Sequence, residues 1–416
     1  MQGKDTINST FFLLFEPIFI EDFIQYLNDT RVDKYTKKLK TIQLIELIAN
    51  AQLNQQQGLR DISNSCNNDE FSQEIQLESI SASQLSRRLR EMKPGIVQEL
   101  FKKVIAQIGV KLGSRNLEQG SGNFYIIDSS TISLCLSKYP WAEFRKTKSG
   151  IKLHLRLQFF NGNILPDHAI ITPAKRVDKT QMDDIVVTEK DALNVFDRGY
   201  LDYKRFDYYC ENNIRFISRL KSNALVEVVE ECDVKAESNL KKDQIVYLGK
   251  DGVSKMEHPV RLIEVEDTEG KPVIIITNDF NLSAGEIGDI YRYRWKIELF
   301  FKWLKQHFHV KHFYGLSKQA VENQLFISLI TYCLLMLLKL KTNFKGSLLT
   351  IKRLVNTCLL EPFSMFIKKL NRKPKHSSNG RRKPPNHEAV YQETLRQVIA
   401  GETDHLDDLT YDPILL

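Results

Sequence analysis

The sequence of 416 residues is 42% hydrophobic and 27% charged, which excludes a mostly disordered chain and is long enough for two or three structural units. Lys and Arg outnumber Asp and Glu by 59 to 52, a formal charge of +7 that leans toward polyanionic partners without establishing one. The six cysteines, Cys66, Cys135, Cys210, Cys232, Cys333 and Cys358, are scattered and form no CxxC, so neither a disulfide framework nor a zinc knuckle is indicated, and a reducing cytoplasm fits.

Residues 1–115 read as a helical N-terminal unit. The apolar stretch at 11–20 is interrupted by Glu16 and Pro17 and has no small-residue cleavage site, so it makes a poor secretory leader. Thr41 opens an amphipathic pattern through Ile42, Leu44, Ile45, Leu47, Ile48 and Leu53 that Gly58 ends. Ser83 is the expected N-cap of a short helix over 84–92, stopped by Pro94 and Gly95. That helix carries Arg87, Arg88 and Arg90. Two readings of it stay open: the recognition helix of a helix-turn-helix, or a solvated charged face.

The Gly- and Ser-rich run 113–122 marks a domain boundary. A short strand is expected at 124–127. Another at 151–157 alternates Ile151, Leu153, Leu155 and Leu157 with Lys152, His154 and Arg156, giving one apolar and one basic face. A helical stretch near 181–187, a strand at 192–196, a helix over 203–210 and a strand at 215–218 complete an α/β layer across 123–222. Between 223 and 280 the texture changes to short β-type runs at 225–229, 245–248, 260–265 and 273–277, a β-rich insertion. Across 281–345 helix resumes, from Ser283 to about Phe308 and again over 318–341. The apolar run 325–338 is too short for a bilayer and reads as a buried helix, so nothing argues for a membrane. A tail over 346–416, helical in part, contains a basic, Pro-containing loop at 371–385.

Two aspartates, Asp128 and Asp197, stand directly after strand cores. Rigidly held carboxylates there suit metal binding, although for either one alone a turn or cap role is the better reading. A third carboxylate decides between these. On the helix that follows, Tyr291, Arg294, Glu298 and Lys305 fall within roughly 60° of one another at about 100° per residue, forming one polar stripe beside an apolar one. The plain alternative is a solvated face with an Arg294–Glu298 ion pair.

The spacing Tyr291-x2-Arg294-x3-Glu298-x6-Lys305 matches without gaps the YREK signature of IS4-type insertion-sequence transposases, and the chain resembles that family over about residues 40–345. The contexts around Asp128 and Asp197 and the run Ile151-Lys-Leu-His-Leu155 are similar too. The resemblance implies an α/β, RNase H-like catalytic core with a β-rich insertion, preceded by a helical DNA-binding region and followed by a helical tail. It implies a DDE triad of Asp128, Asp197 and Glu298 holding Mg2+ or Mn2+, and DNA contacts by Tyr291, Arg294 and Lys305. It favours Arg87, Arg88 and Arg90 as DNA readers. The partners it implies are the terminal inverted repeats and target sites of double-stranded DNA, bound by a homodimer at the bacterial nucleoid. In that family the freed 3′-hydroxyl can attack the opposite strand to form a hairpin.

Other residues carry two readings each. His154 either faces the active site beside Asp128 or sits on a solvated strand face, and the family's similar Lys-x-His favours the former. Arg198, next to Asp197, either positions a phosphate or pairs with a carboxylate. Trp295 and Trp303 either stack on a flipped base or fill the core. His307, His309 and His312 fit DNA-facing or capping roles better than zinc. Two rival functions are a catalytically silent DNA-binding regulator and an RNase H-like nuclease that does not join strands. The presence of all three carboxylates counts against the regulator.

Overall fold

The computed structural model describes residues 8–113, 124–160, 163–232, 240–266, 272–308, 310, 312–372 and 396. Most of the expected boundary at 113–122, His309 and nearly all of the basic loop at 371–385 lie outside them. The N-terminal region forms α1 (Thr10–Phe15), α2 (Glu21–Asp29), α3 (Thr41–Leu53), α4 (Leu59–Ser65), α5 (Asp69–Glu74), α6 (Ala82–Glu91) and α7 (Pro94–Gly113). The cap of α6 is Ser81, two residues before the expected Ser83: its hydroxyl accepts from the Gln84 N–H at 3.2 Å, and the Gln84 side chain accepts from the Ser81 N–H at 3.1 Å. The expected stop holds, α6 ending at Glu91, but Pro94 also begins the 20-residue α7, because its fixed φ and missing N–H suit a first turn.

Beyond these come β1 (Phe124–Leu134), β2 (Glu143–Arg145), β3 (Lys148–Phe160), β4 (Asn163–Pro173), α8 (Met182–Ile185), β5 (Leu193–Phe196), α9 (Tyr203–Glu211) and β6 (Arg215–Arg219). They are followed by β7 (Val226–Glu231), β8 (Leu240–Leu248), β9 (Val260–Glu266) and β10 (Pro272–Thr277). All ten strands join one sheet in the order β2-β3-β1-β5-β6-β10-β9-β8-β7, with β4 on β3. β1, β3 and β4 pair antiparallel, while β1, β5 and β6 run parallel. The β-rich residues 223–280 are not set apart: β10 pairs with β6 and carries the sheet onward. β4 has no counterpart in the sequence reading, since its Pro166, Asp167 and His168 break a clean apolar alternation.

The helices that close the fold are α10 (Ala284–Arg292), α11 (Trp295–His307), α12 (Lys318–Thr342), α13 (Leu348–Cys358) and α14 (Phe363–Leu370). The single helix expected from Ser283 to Phe308 is two. At Tyr293 and Arg294 the hydrogen bonds tighten to three-residue spacing, Arg294 N–H to the Tyr291 carbonyl at 3.0 Å and Lys296 N–H to that of Tyr293 at 2.9 Å. The expected buried helix at 325–338 is the centre of α12. By length and composition α12 could cross a membrane, but 78% of its apolar window is buried, and it packs on α3, α6 and α7 as a core helix.

Buried polar bonds fasten the N-terminal helices to α12. Asn323 donates to the carbonyls of Leu89 and Met92 at 3.1 and 2.8 Å, and Gln52 donates to the Gln324 carbonyl at 3.0 Å. Unmade, such bonds would leave desolvated polar groups costing about 1–3 kcal/mol each. The N-terminal helices therefore share one apolar core with α10–α13 and one face of the sheet, rather than standing as a separate unit. A smaller core of Ile127, Phe196, Phe206 and Phe216 covers the opposite face.

Candidate active site

Asp128 lies inside β1 rather than after it, because the antiparallel pairing with β3 continues to Leu134. The parallel pairing with β5, however, ends at Ile127 and Phe196. Asp128 and Asp197 are thus the first residues beyond the last paired rung of two adjacent strands. Strand alternation points both away from Ile127 and Phe196 and toward the face that α11 covers. Ile297, Phe300, Phe301 and Leu304 anchor α11 there, which brings Glu298 over the strands.

Arg294 ties the cluster together, donating to Asp128 Oδ2 at 3.1 Å and to Glu298 Oε1 at 2.7 Å. Burial pushes the Asp128 carboxyl up to about 7; Arg294 opposes that rise, and the charges of Glu298 and Asp197 add to it. Burial disfavours the Arg294 charge, but Glu298, Tyr291, Asp128 and Asp197 together hold it well above the ordinary arginine value. Arg294 thus joins Asp128 and Glu298 directly, and the charge of Asp197 acts on both Asp128 and Arg294. Among the described residues no group of three or more His, Cys, Asp or Glu is already drawn together as a metal cage. Arg294 instead spans two of the oxygen donors. Hard carboxylate oxygens carrying more negative charge than their surroundings balance form a donor set that suits a divalent cation.

The rest of the polar stripe is not laid out for solvent. Tyr291 is 8% exposed and packs near Arg294, whose guanidinium lies 5.9 Å from its ring; burial first, with Asp197 adding, moves its phenol up to about 12. A buried tyrosine cannot contact DNA in this arrangement, so the expected contact would need the segment to open. Lys305 reaches the Thr131 carbonyl at 3.4 Å. Trp295 and Trp303 are buried, which places both in the core rather than beside a base. His307 packs on Trp303, and burial lowers it to about 4.

The basic face of β3 is not a solvated face. His154 is fully buried, with Nε2 3.0 Å from the Thr172 hydroxyl and Nδ1 3.7 Å from Asp178. Burial lowers it to about 4, with Asp178 opposing and Lys152 assisting. It lies opposite Ser129, on the face away from Asp128. Lys152 and the Ser129 hydroxyl both donate to Asp178, at 2.9 and 2.7 Å, and Arg156 grips Asp167 through two nitrogens at 2.8 and 3.0 Å. The sequence reading missed Asp178 and Asp167. Their signal was the basic alternation itself, since the two cationic positions Lys152 and Arg156 on a central strand need acids on the segment that folds back.

Arg198 is exposed in the turn after β5 and makes no ion pair among the described residues. Arg87 and Arg90 are exposed on α6. Arg88 is not: it pairs with Asp33 and donates to the Thr41 hydroxyl at 3.0 Å, bracing the start of α3. The three arginines therefore do not form one surface.

A family model described as the transposase DDE domain matches residues 119–334, a span that includes Asp128, Asp197 and Glu298. A Geobacillus stearothermophilus protein named as a transposase for insertion sequence element IS5377 is 28% identical over 258 residues, 61% of this chain and 66% of that protein. The y4zB protein of Sinorhizobium fredii, also named a transposase, is 30% identical over 269 residues, 63% of this chain and 74% of its own length. A Synechocystis protein named for insertion sequence element IS4SA is 25% identical over 297 residues, covering 69% and 80%.

Proposed function

Because the chain belongs to the DDE-domain transposases of insertion sequences, we propose that Asp128, Asp197 and Glu298 are its catalytic carboxylates and that it cuts transposon ends and joins them to target DNA. The observation that carries the assignment is the gathering of acid where β1, β5 and α11 meet: Arg294 bonds both Asp128 and Glu298, and the charges of Glu298 and Asp197 raise the Asp128 carboxyl. The strand order β4-β3-β1-β5-β6, antiparallel then parallel, supports an RNase H-like core.

Members of this family work with divalent metal ions; Mg2+ or Mn2+ at the three carboxylates would activate a water or 3′-hydroxyl and stabilise the leaving oxygen in an in-line displacement at phosphorus. Asp128 and Asp197 supply oxygen donors from the rigid sheet. Glu298 supplies one from the helix packed across it. Arg294 holds Asp128 and Glu298 together before DNA arrives and is placed to turn toward a phosphate afterwards, with Lys305 one helical stretch further on. Arg198, on the exposed turn after Asp197, is positioned for the DNA backbone. Arg87 and Arg90 remain candidates for contacts to double-stranded terminal repeats, with the protein acting as a homodimer at the nucleoid.

The test is a labelled end oligonucleotide with a target duplex in Mg2+. Cleavage and strand transfer by the natural chain, both lost in Asp197→Asn while end binding persists, are the expected results. Cleavage by Asp197→Asn at the natural rate overturns the assignment. Hydrolysis without any joined product favours the nuclease.

A further inference from the structure

The connection between α2 and α3 carries Arg31, Lys34, Lys37, Lys38 and Lys40, all exposed and, among the described residues, none in an ion pair. Its acid, Asp33, is already engaged by Arg88 and by the Thr41 N–H at 3.0 Å, so it does not neutralise them. These cations rim a cavity of about 980 Å3. Its wall offers the half-exposed ring of Phe19 together with Ile24 and Ile75.

The same cavity is lined by Glu46, which is 4% exposed and has no hydrogen-bond or ion-pair partner among the described residues. Burial, with Glu74 adding, moves its carboxyl up to about 8. A neutral carboxyl presents one O–H donor beside one C=O acceptor. The Watson–Crick edge of any nucleobase presents the same adjacent pair, so Glu46 can engage a base without selecting one. Cationic rim, aromatic wall and a donor–acceptor pair at depth match the three parts of a nucleotide: phosphate, base face and base edge.

We propose that this cavity takes one unpaired nucleotide of a DNA strand, its phosphates on the basic rim, its base against Phe19 and its edge on Glu46. The inference rests on the reading of the chain as a DNA-handling enzyme and adds a site remote in sequence from the three carboxylates. An unpaired nucleotide fits where a duplex does not. A duplex is read by an element that projects into a groove, whereas a base enters a concavity only after leaving the stack.

The experiment uses the full chain carrying Asp197→Asn, so that binding is measured without cleavage. Affinity for a fluorescent single-stranded 12-mer and for the matching duplex is followed across a salt titration, with a thermal melt of each variant. Lys37→Ala with Lys38→Ala is expected to flatten the single-strand salt slope by about 1.4. Glu46→Leu is expected to weaken the single strand about threefold to tenfold and leave the duplex unchanged, while Glu46→Gln, whose amide keeps a donor and an acceptor, binds like the parent. Single-strand binding by Glu46→Leu equal to the parent, or an equal loss on strand and duplex, overturns the proposal. So does a deoxynucleoside monophosphate that binds as tightly as the 12-mer, since the ligand would then be the free nucleotide. Because cleavage is disabled throughout, failure here leaves the triad standing, and failure of the triad leaves this binding result standing.

Discussion

Adjacent residues of β1 face opposite sides of the sheet, and each meets a charged cluster of a different kind. Asp128 meets Arg294, Glu298 and Asp197, where acid exceeds base. Ser129 meets Asp178, Lys152 and His154, where one acid answers one lysine and the buried imidazole is neutral. The second cluster closes its own account and braces β3. The first does not, and an uncompensated charge held rigidly is what a ligand can complete. Charge balance, more than the presence of charged residues, separates the two.

The largest expected difference is in catalysis. Glu298→Gln should lower end cleavage on the order of a thousandfold or more, whereas Asp178→Asn should leave single-turnover cleavage of bound DNA within a fewfold of the natural rate. Equal losses in the two variants, measured on the same labelled end, would erase the distinction between the faces.

Arg294→Ala leaves Asp128 and Glu298 facing each other without their cation. A loss of about 3 kcal/mol is expected in denaturant unfolding without metal, and millimolar Mg2+ should restore part of it by binding the folded state. The same Mg2+ should not restore Asp178→Asn. A metal-independent deficit in Arg294→Ala would mark the guanidinium as a packing group only.

The third expectation concerns pH. His154 is held at about 4, below the ordinary 6.5, so the unfolded chain takes up the proton first. Its contribution is complete above about pH 6.5 and is lost as pH falls toward 4, by at most about 3 kcal/mol. His168 and His307 are lowered too, so the measurement is the difference in melting between the natural chain and His154→Gln across that window. Parallel curves would show that His154 does not contribute.

The smallest effect belongs to Asp178→Asn, which leaves Lys152 half-satisfied beside solvent. A cost of about 1–2 kcal/mol in urea unfolding is expected, with unchanged end-DNA affinity. Weakened DNA binding at unchanged stability would move this cluster from brace to site.

Much of the layout was legible because it is local. Strands and helices between 193 and 219 fall within a residue or two of their expected limits, since short apolar runs there are bounded by clear turn residues. The spacing on α10 and α11 carried the resemblance that singled out Asp128, Asp197 and Glu298, and Arg294 does bond the first and the third. What stayed hidden depends on partners distant in sequence. Nothing near Arg88 announces that Asp33, 55 residues earlier, will occupy it. Nothing in the β7–β10 texture says that β10 will pair with β6. The burial of Tyr291 was not legible, because periodicity alone cannot tell a solvent-facing stripe from one that packs against the fold.

The tightened turn at Tyr293 and Arg294 sets an angle as well as a break. With three residues per turn, Tyr291 and Arg294 come into near-eclipse, and α11 leaves at a rotation that an unbroken helix would not give. Glu298 is four residues past Arg294, so its bearing on the sheet is fixed by this one joint. Inserting a residue there would swing Glu298 by about 100° around the helix axis, off the carboxylate face, while leaving every side chain of the signature intact. The motif is therefore a statement about rotational phase: its residues count only in the register that the joint between two short helices imposes.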